Sequence, residues 1–206
     1  MIHPHTRIQF INEDIGYGVF ATQFIPQGTI TYVKDSLELE VTPEAYQTYS
    51  PEMQEVIEKY SYIDERGVRI ISWDFAKYVN HCCNCNTMST GYGFEIAIRD
   101  IQPGEQLTDE YGIFNIPEEM ELSCQYKDCR KKVRPSDFDI YYPRWDEQLK
   151  KALASFSVVD QPLYPMLDTK TQEEIQGYMN DPSRYKSVYT LKYHPQFSLN
   201  GIGVRK

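Results

Sequence analysis

The stretch Asn-His-Cys-Cys-Asn-Cys-Asn, residues 80–86, and the stretch Gly-Glu-Gln-Leu-Thr-Asp-Glu-Tyr-Gly, residues 104–112, decide the fold of this chain. Gly-Tyr-Gly-Val-Phe-Ala lies upstream at residues 16–21, where glycines without a Cβ allow the backbone to approach a ligand closely. Three of the five cysteines crowd the first stretch, which does not suit a disulfide framework. Clustered cysteines of this kind indicate metal binding or reactive thiol chemistry.

The three segments resemble the motifs of SET-domain lysine methyltransferases, in family order and near family spacing. The family patterns are G-x-G-x-F-A, N-H-S-C-x-P-N and G-E-E-L-T-x-D-Y. A Gly-x-Gly turn alone is more often an ordinary hairpin turn, but the later motifs reverse that preference. The resemblance covers roughly residues 7–130. It implies a mostly β fold with some α, in which short sheets surround a pseudoknot-like active site. It also implies a SET domain over residues 1–117 and a post-SET zinc-binding segment over 118–135. Beyond these, the helical spacing of apolar residues predicts a C-terminal helical extension over 136–206.

Local patterns support many short strands in the first part of the chain. Turn residues and β-branched or alternating stretches predict strands at residues 7–11, 18–24, 29–33, 68–72, 94–101 and 106–111. Thr42 and Ser50 each precede a proline and an acid, which predicts two helix starts. The second of these helices is expected to bury the side chains of Met53, Val56, Ile57 and Tyr60.

The character changes from Pro143 onward. Apolar residues from Trp145 to Phe156 recur at helical spacing. Thr169–Gln172 resembles a capping box and predicts a helix that runs through Met179. The tyrosine-rich tail, Tyr185–Phe197, suits a strand.

The resemblance implies that S-adenosylmethionine (SAM) is the cofactor. Gly16, Tyr17 and Gly18 would contact it through the main chain. In the family the Asn80 side chain holds the methionine end of SAM, and the His81 backbone hydrogen-bonds the adenine. Lys77 stands where the family usually has arginine, so a bidentate contact is lost there.

Tyr111 matches the catalytic tyrosine of the family, where it also adjoins the cofactor. Its hydroxyl would orient a neutral lysine amine for in-line attack on the methyl group. Composition alone does not single it out, because the chain has 17 tyrosines. Tyr62 resembles a second channel tyrosine, with Tyr60 as its competitor. Asp109 replaces the aromatic residue that often tunes the number of methyl groups.

The post-SET pattern C-x-C-x4-C is met only by Cys124 and Cys129, because Leu122 stands at the first cysteine. Cys85, two residues after Cys83, brings the number of candidate zinc ligands back to four. We therefore predict one structural zinc ion bound by Cys83, Cys85, Cys124 and Cys129, since zinc favours four thiolates. Cys82 is the alternative to Cys85, and free buried cysteines are the alternative to a metal site.

The net charge of −9 favours a lysine-rich protein partner over nucleic acid, although many soluble proteins are acidic simply for solubility. The chain shows neither an apolar run long enough to cross a bilayer nor a secretory signal, so we expect an intracellular protein, cytoplasmic or nuclear, without membrane contact. The expected activity is methylation of a lysine in a histone or histone-like tail. Alternatives are a ribosomal or translation protein as substrate, a catalytically silent SET fold that serves as a binding module, and a zinc-stabilised interaction domain. The oligomeric state is left open.

Overall fold

The structure, a computed structural model that describes residues 1–195, consists mainly of short strands with a few short helices as far as Val133, and of helices beyond it. The strands are β1 (Thr6–Asn12), β2 (Gly16–Ala21), β3 (Ile30–Val33), β4 (Leu39–Val41), β5 (Ser61–Ile63), β6 (Arg69–Ile71), β7 (Asn80–His81), β8 (Thr87–Ser89), β9 (Phe94–Ala97), β10 (Gln106–Asp109), β11 (Met120–Glu121) and β12 (Lys132–Val133). The α-helices are α1 (Pro43–Tyr46), α2 (Pro51–Tyr60), α3 (Asp137–Leu153) and α4 (Thr169–Asn180). Short 3-10 helices span Phe75–Tyr78, Tyr111–Ile113, Phe156–Val158, Tyr164–Met166, Pro182–Arg184 and Val188–Leu191.

Small sheets replace a single large one. Their strand orders are β1-β2-β10-β7, β3-β9-β8, β4-β6-β5 and β11-β12. Neighbouring strands run antiparallel, except that β7 and β10 are parallel. The expected mostly β fold with a helical C-terminal part is confirmed.

Both predicted helix starts are confirmed, but the predicted buried face of α2 is wrong. The hydroxyl of Thr42 accepts from the backbone N–H of Ala45 at 3.2 Å, and that of Ser50 accepts from Met53 at 3.4 Å. Ile57 is buried, whereas Met53 is 46 % exposed and Val56 is 50 % exposed. Helix α2 packs against β5 and β6 of a narrow sheet, which is too small to cover its whole apolar face.

Helix α3 begins earlier than the sequence pattern indicates. It starts at Asp137, and Pro143 lies inside it, although a proline in a helix removes one backbone hydrogen bond. The predicted apolar face is confirmed, since Trp145 and Leu149 are buried. None of the helices within residues 1–195 has the length and apolarity needed to span a membrane.

The predicted capping box and the predicted tail strand are both wrong. The N-cap of α4 is Asp168, whose carboxylate accepts from the N–H of Thr171 at 3.0 Å, so the cap lies one residue before Thr169. Within the described part of the tail, Val188–Leu191 forms a 3-10 helix instead of a strand. Its last two predicted residues lie outside the described part of the chain.

The C-terminal helices complete the main hydrophobic core. Phe94 and Ile96 of β9 pack in one cluster with Leu149 of α3 and Ile175 of α4. Gln161 adds a hydrogen bond between the two regions, since its side-chain oxygen accepts from the N–H of Ile30 at 2.9 Å. The region after Val133 is therefore an integral cover for the β3-β9-β8 sheet.

Leu149→Ala is expected to lower the free energy of unfolding by about 3 kcal/mol, because it leaves a cavity in a fully buried site. Ile140→Ala on the same helix is the control, since Ile140 is 60 % exposed and its loss should cost less than about 0.5 kcal/mol. Denaturant unfolding monitored by circular dichroism measures both. Equal effects of the two substitutions would contradict the packing of α3 against β9.

Candidate active site

Parallel pairing of β7 with β10 brings the two motif stretches together. Asn80 lies opposite Thr108, and His81 lies opposite Asp109. The N–H of Tyr111 then donates to Nδ1 of His81 at 3.2 Å. Residues that are distant in sequence therefore share one site.

Asn86 holds this junction from within. It is fully buried, and its amide donates to the carbonyl of Gln106 at 2.8 Å while accepting from the N–H of Thr108 at 2.8 Å. An amide side chain can satisfy a donor and an acceptor of one strand at once. Sequence reasoning assigned Asn86 no role, although it closes the motif stretch at residues 80–86.

The glycine turn lies directly against Asn80. The Asn80 amide donates to the carbonyl of Tyr17 at 2.9 Å. A Cβ on Gly18 would lie 2.7 Å from Nε2 of Gln106 and 3.2 Å from Nδ2 of Asn80. Gly16 adopts a φ of +79°, which favours glycine. The turn is therefore shaped by close approach of other side chains as well as by its own backbone.

Lys77 lies in the 3-10 helix before β7. Its Nζ donates to the carbonyl of Ser72 at 3.4 Å, and the side chain lines the main cavity of the site. The adjacent Tyr78 ring contacts Tyr17 and Tyr60 at centroid distances of 5.8 and 5.6 Å. A row of aromatic rings therefore links the glycine turn to the cavity.

This cavity has a volume of about 560 Å³, within the range of about 300–1,000 Å³ that is usual for small-ligand pockets. We call its buried and half-buried side the inner wall, and its exposed edge the rim. The inner wall includes Tyr32, Tyr62, Glu95, Asp109, Tyr111 and Phe114. The rim includes Glu58, Lys59, Pro117, Glu118 and Glu119.

Tyr111 presents a neutral phenol to the cavity. Its hydroxyl donates to the carbonyl of Val79 at 2.8 Å, and its ring contacts His81 and Phe114 at 5.4 and 5.5 Å. Burial raises the pKa of Tyr111, and the nearby Asp109 adds to the shift. The hydroxyl is therefore a hydrogen-bonding group rather than a phenolate at neutral pH.

Tyr62 and Tyr60 both line the cavity but face different neighbours. The Tyr62 ring packs on Phe114 at 5.4 Å, and burial followed by the charge of Glu95 raises its pKa. Tyr60 packs on Tyr78 instead. Tyr62 thus shares the inner wall with Tyr111, while Tyr60 belongs to the aromatic row.

Three cysteines assemble beside this site, and Cys82 contacts one of them. The sulfurs of Cys83, Cys124 and Cys129 all lie within 4.8 Å of one another. Cys83 is 3.7 Å from Cys129, and Cys82 is 3.8 Å from Cys124, measured between sulfurs. Tetrahedral zinc with Zn–S distances of about 2.3 Å places its sulfurs about 3.8 Å apart. The donor set therefore fits zinc.

Backbone amides point at these sulfurs. The N–H of Cys83 donates to Cys124 Sγ at 3.4 Å, and the N–H of Lys131 donates to Cys129 Sγ at 3.2 Å. Arg130 donates in the same way to Cys83 Sγ at 3.4 Å. Such donors stabilise thiolates, which are the form of cysteine that ligates metal.

Cys85 lies apart from this group. It is buried in the main core with Met88 and Ile113. The chain turns at Cys83 and Asn84, so that Cys85 points back into the core. Cys82, the alternative to Cys85, has its sulfur 3.8 Å from that of Cys124.

His81 and Arg130 join the cysteines to the cavity. His81 Nδ1 accepts from Tyr111, so Nε2 carries the hydrogen that points at Cys83 Sγ, 3.3 Å away. Burial and the charge of Arg130 lower the pKa of His81 to about 4, which keeps the ring neutral. Arg130 also pairs with Glu110, the neighbour of Tyr111, and with Asp137 at the start of α3. The cysteine cluster is thus connected to Tyr111 through His81 and to the neighbouring Glu110 through Arg130.

Comparison with known proteins agrees with this arrangement. The SET domain family model matches residues 16–112. No curated protein sequence matches the chain significantly. Residues 16–112 are therefore a SET domain, as the three motifs predict. SET domains are in general methyltransferases that use SAM and bind a protein substrate.

Proposed function

We propose that this protein is a SAM-dependent protein-lysine N-methyltransferase. The observation that carries the proposal is the position of the Tyr111 hydroxyl on the inner wall of the cavity of about 560 Å³, next to the strand that bears Asn80. A pocket of this size with convergent polar groups suits a small ligand together with one inserted side chain.

The residues that would hold SAM surround the turn at Gly16–Gly18. Because its glycines have no Cβ, the main chain of this turn can contact a ligand directly. The Asn80 amide offers both donors and an acceptor to an amino-acid group. Lys77 would supply a single charged contact, and His81 would contribute its backbone, since its ring is engaged by Tyr111 and Cys83.

When bound, SAM supplies a methyl group on a sulfonium, whose positive charge also lowers the pKa of a neighbouring lysine. The Tyr111 hydroxyl orients the lysine amine, and Tyr62 borders the same channel. The ring of Phe114, packed against both tyrosines, excludes water from the inner wall. Alignment of nucleophile and methyl group supplies most of the acceleration in such a reaction.

We further propose a structural zinc ion bound by Cys83, Cys124 and Cys129, with Cys82 as the fourth ligand. The ion would fasten the segment at residues 118–135 to the loop after Asn80. It would contribute to folding and to the shape of the cavity rather than to chemistry.

The substrate that we propose is a lysine in a basic protein, a histone or histone-like tail first. The acids Glu58, Glu118 and Glu119 on the rim would attract basic residues around the target lysine. A ribosomal or translation protein offers the same chemistry and remains the alternative target.

The test is transfer of labelled methyl groups from SAM to core histones and to a bacterial cell lysate, with mass spectrometry on each labelled band. Asn80→Ala is expected to weaken SAM binding about tenfold or more, because it removes a polar contact and leaves the carbonyl of Tyr17 unpaired. Calorimetry measures the affinity. Asn84→Ala is the control, since Asn84 is an exposed amide in the same loop.

The outcomes separate the alternatives. Labelled lysine would name the substrate. SAM binding without transfer to any substrate, together with crystals that show SAM far from Tyr111, would support a silent binding module. Absence of SAM binding would overturn the proposal and leave an interaction domain.

A further inference from the structure

Two acids face the cavity from strands of different sheets. Glu95 lies on β9 and Asp109 ends β10, and both line the inner wall near Tyr111 and Tyr62. Asp109 is only 1 % exposed. Carboxylates are rarely so deeply buried unless they have a partner.

Only one of the two carboxylate oxygens of Asp109 accepts a hydrogen bond. Its Oδ1 accepts from the N–H of Glu110 at 2.7 Å, but its buried Oδ2 receives no hydrogen bond from a donor within residues 1–195. The carboxyl of Glu95 lies within hydrogen-bonding reach, but it can donate only when one of the two acids is protonated. Burial raises the pKa of Glu95 to about 7, although its hydrogen bond with Asp109 acts in the opposite direction. Burial and the charge of Glu95 raise the pKa of Asp109 well above its usual range.

No lysine or arginine within residues 1–195 forms an ion pair with Glu95 or Asp109. The N-terminal ammonium of Met1 acts on Glu95 electrostatically, but it pairs with Asp35 and Glu38. Lys77 lines the same cavity, yet its Nζ donates to the carbonyl of Ser72. When the two acids share one proton, the buried pair still carries one negative charge, and an N–H donor from a ligand would stabilise that charge.

We propose that Glu95 and Asp109 form an acidic subsite that receives the N–H groups of the substrate's lysine amine and thereby limits the reaction to the first methyl group. This inference rests on the proposed function. An amine that donates its N–H groups to the two carboxyls directs its lone pair away from them, as in-line attack requires.

The limit on methyl number follows from counting N–H donors. A first methyl group replaces one N–H of the amine. A second transfer would require the first methyl group to lie against a carboxyl, which would leave that buried acid without a donor. Monomethyl-lysine is therefore the expected main product.

The first measurement needs no turnover. Ligand-observed NMR compares the binding of n-butylammonium, which has the length of a lysine side chain, with that of n-butyltrimethylammonium, which has no N–H. The wild-type protein is expected to prefer n-butylammonium by about tenfold. Glu95→Gln and Asp109→Asn should each erase most of that preference, while Glu147→Gln, an exposed acid on α3, should not. Equal binding of the two probes by the wild-type protein would overturn the subsite.

The second measurement is the product distribution on a substrate found by methyl transfer. Asp109→Ala, which removes the acceptor and adds room, should shift the product towards dimethyl- and trimethyl-lysine. Thermal melting checks that Asp109→Ala folds. If it does not fold, Glu95→Ala, at the less buried position, replaces it in the product measurement. Trimethylation by the wild-type protein, or the same products from both variants as from wild type, would refute the proposal. If the wild-type protein prefers n-butylammonium but transfers no methyl group, the result counts against the proposed function alone.

Discussion

Tyr111→Phe is expected to lower the rate of methyl transfer by about 100-fold, which is the scale seen when one positioned hydrogen-bonding group is lost from an active site. The substitution removes only the hydroxyl that faces the cavity. SAM affinity should stay unchanged, because the glycine turn and Asn80 are left intact. Single-turnover transfer of labelled methyl, with separate calorimetry of SAM binding, measures the two effects.

The fold should tolerate this change. The phenylalanine ring keeps the packing of Tyr111 on His81 and Phe114. Within residues 1–195 the hydroxyl donates one hydrogen bond, to the carbonyl of Val79, and the loss of that bond costs about 1 kcal/mol. Tyr178→Phe on α4, remote from the cavity, is the matched control and should retain full activity. Full activity of Tyr111→Phe would remove this residue from the mechanism.

Removal of zinc is expected to have the second largest effect. Purified protein should contain about one zinc ion per chain, as one four-thiolate site requires. Cys124→Ser should lower metal affinity by more than roughly 100-fold, since losing only an outer partner of a ligand costs about 10–100-fold. Because the ion is proposed to fasten residues 118–135, its loss should increase proteolysis there and reduce transfer. Metal analysis and limited proteolysis measure these results.

Two further substitutions decide between Cys82 and Cys85. Cys82→Ser should also lose zinc, because the sulfur of Cys82 lies 3.8 Å from that of Cys124. Cys85→Ala should keep the metal and cost only stability, because Cys85 is buried in the core. Substoichiometric zinc that Cys124→Ser does not change would reject the site.

Local chemistry explains where sequence reasoning succeeded. The caps at Thr42 and Ser50 depend on neighbours within three residues, so their pattern predicts the helix starts. The three motifs likewise indicate the fold. The start of α3 was predicted too late, because Pro143 usually marks a helix boundary. Here Pro143 lies inside α3, which packs against β9, a strand distant in sequence.

The cysteines show the same division. Their number and spacing predict a metal site near Tyr111. Spacing does not determine which of Cys82 and Cys85 faces Cys124, because a turn at Cys83 and Asn84 reverses the direction of the following side chain. Only the packed chain places one sulfur in the cluster and the other in the core.

The sequence by itself determined the family, the mostly β fold and the positions of Tyr111 and Asn80, because these depend on short motifs. The tertiary structure alone decided that Glu95 and Asp109 meet on one cavity wall. Strand alternation predicts a solvent-facing Glu95, whereas the folded chain places it on the same cavity wall as Asp109 and Tyr111, although β9 and β10 belong to different sheets. Burial and proximity are properties of the folded chain, and they give these two acids their chemistry.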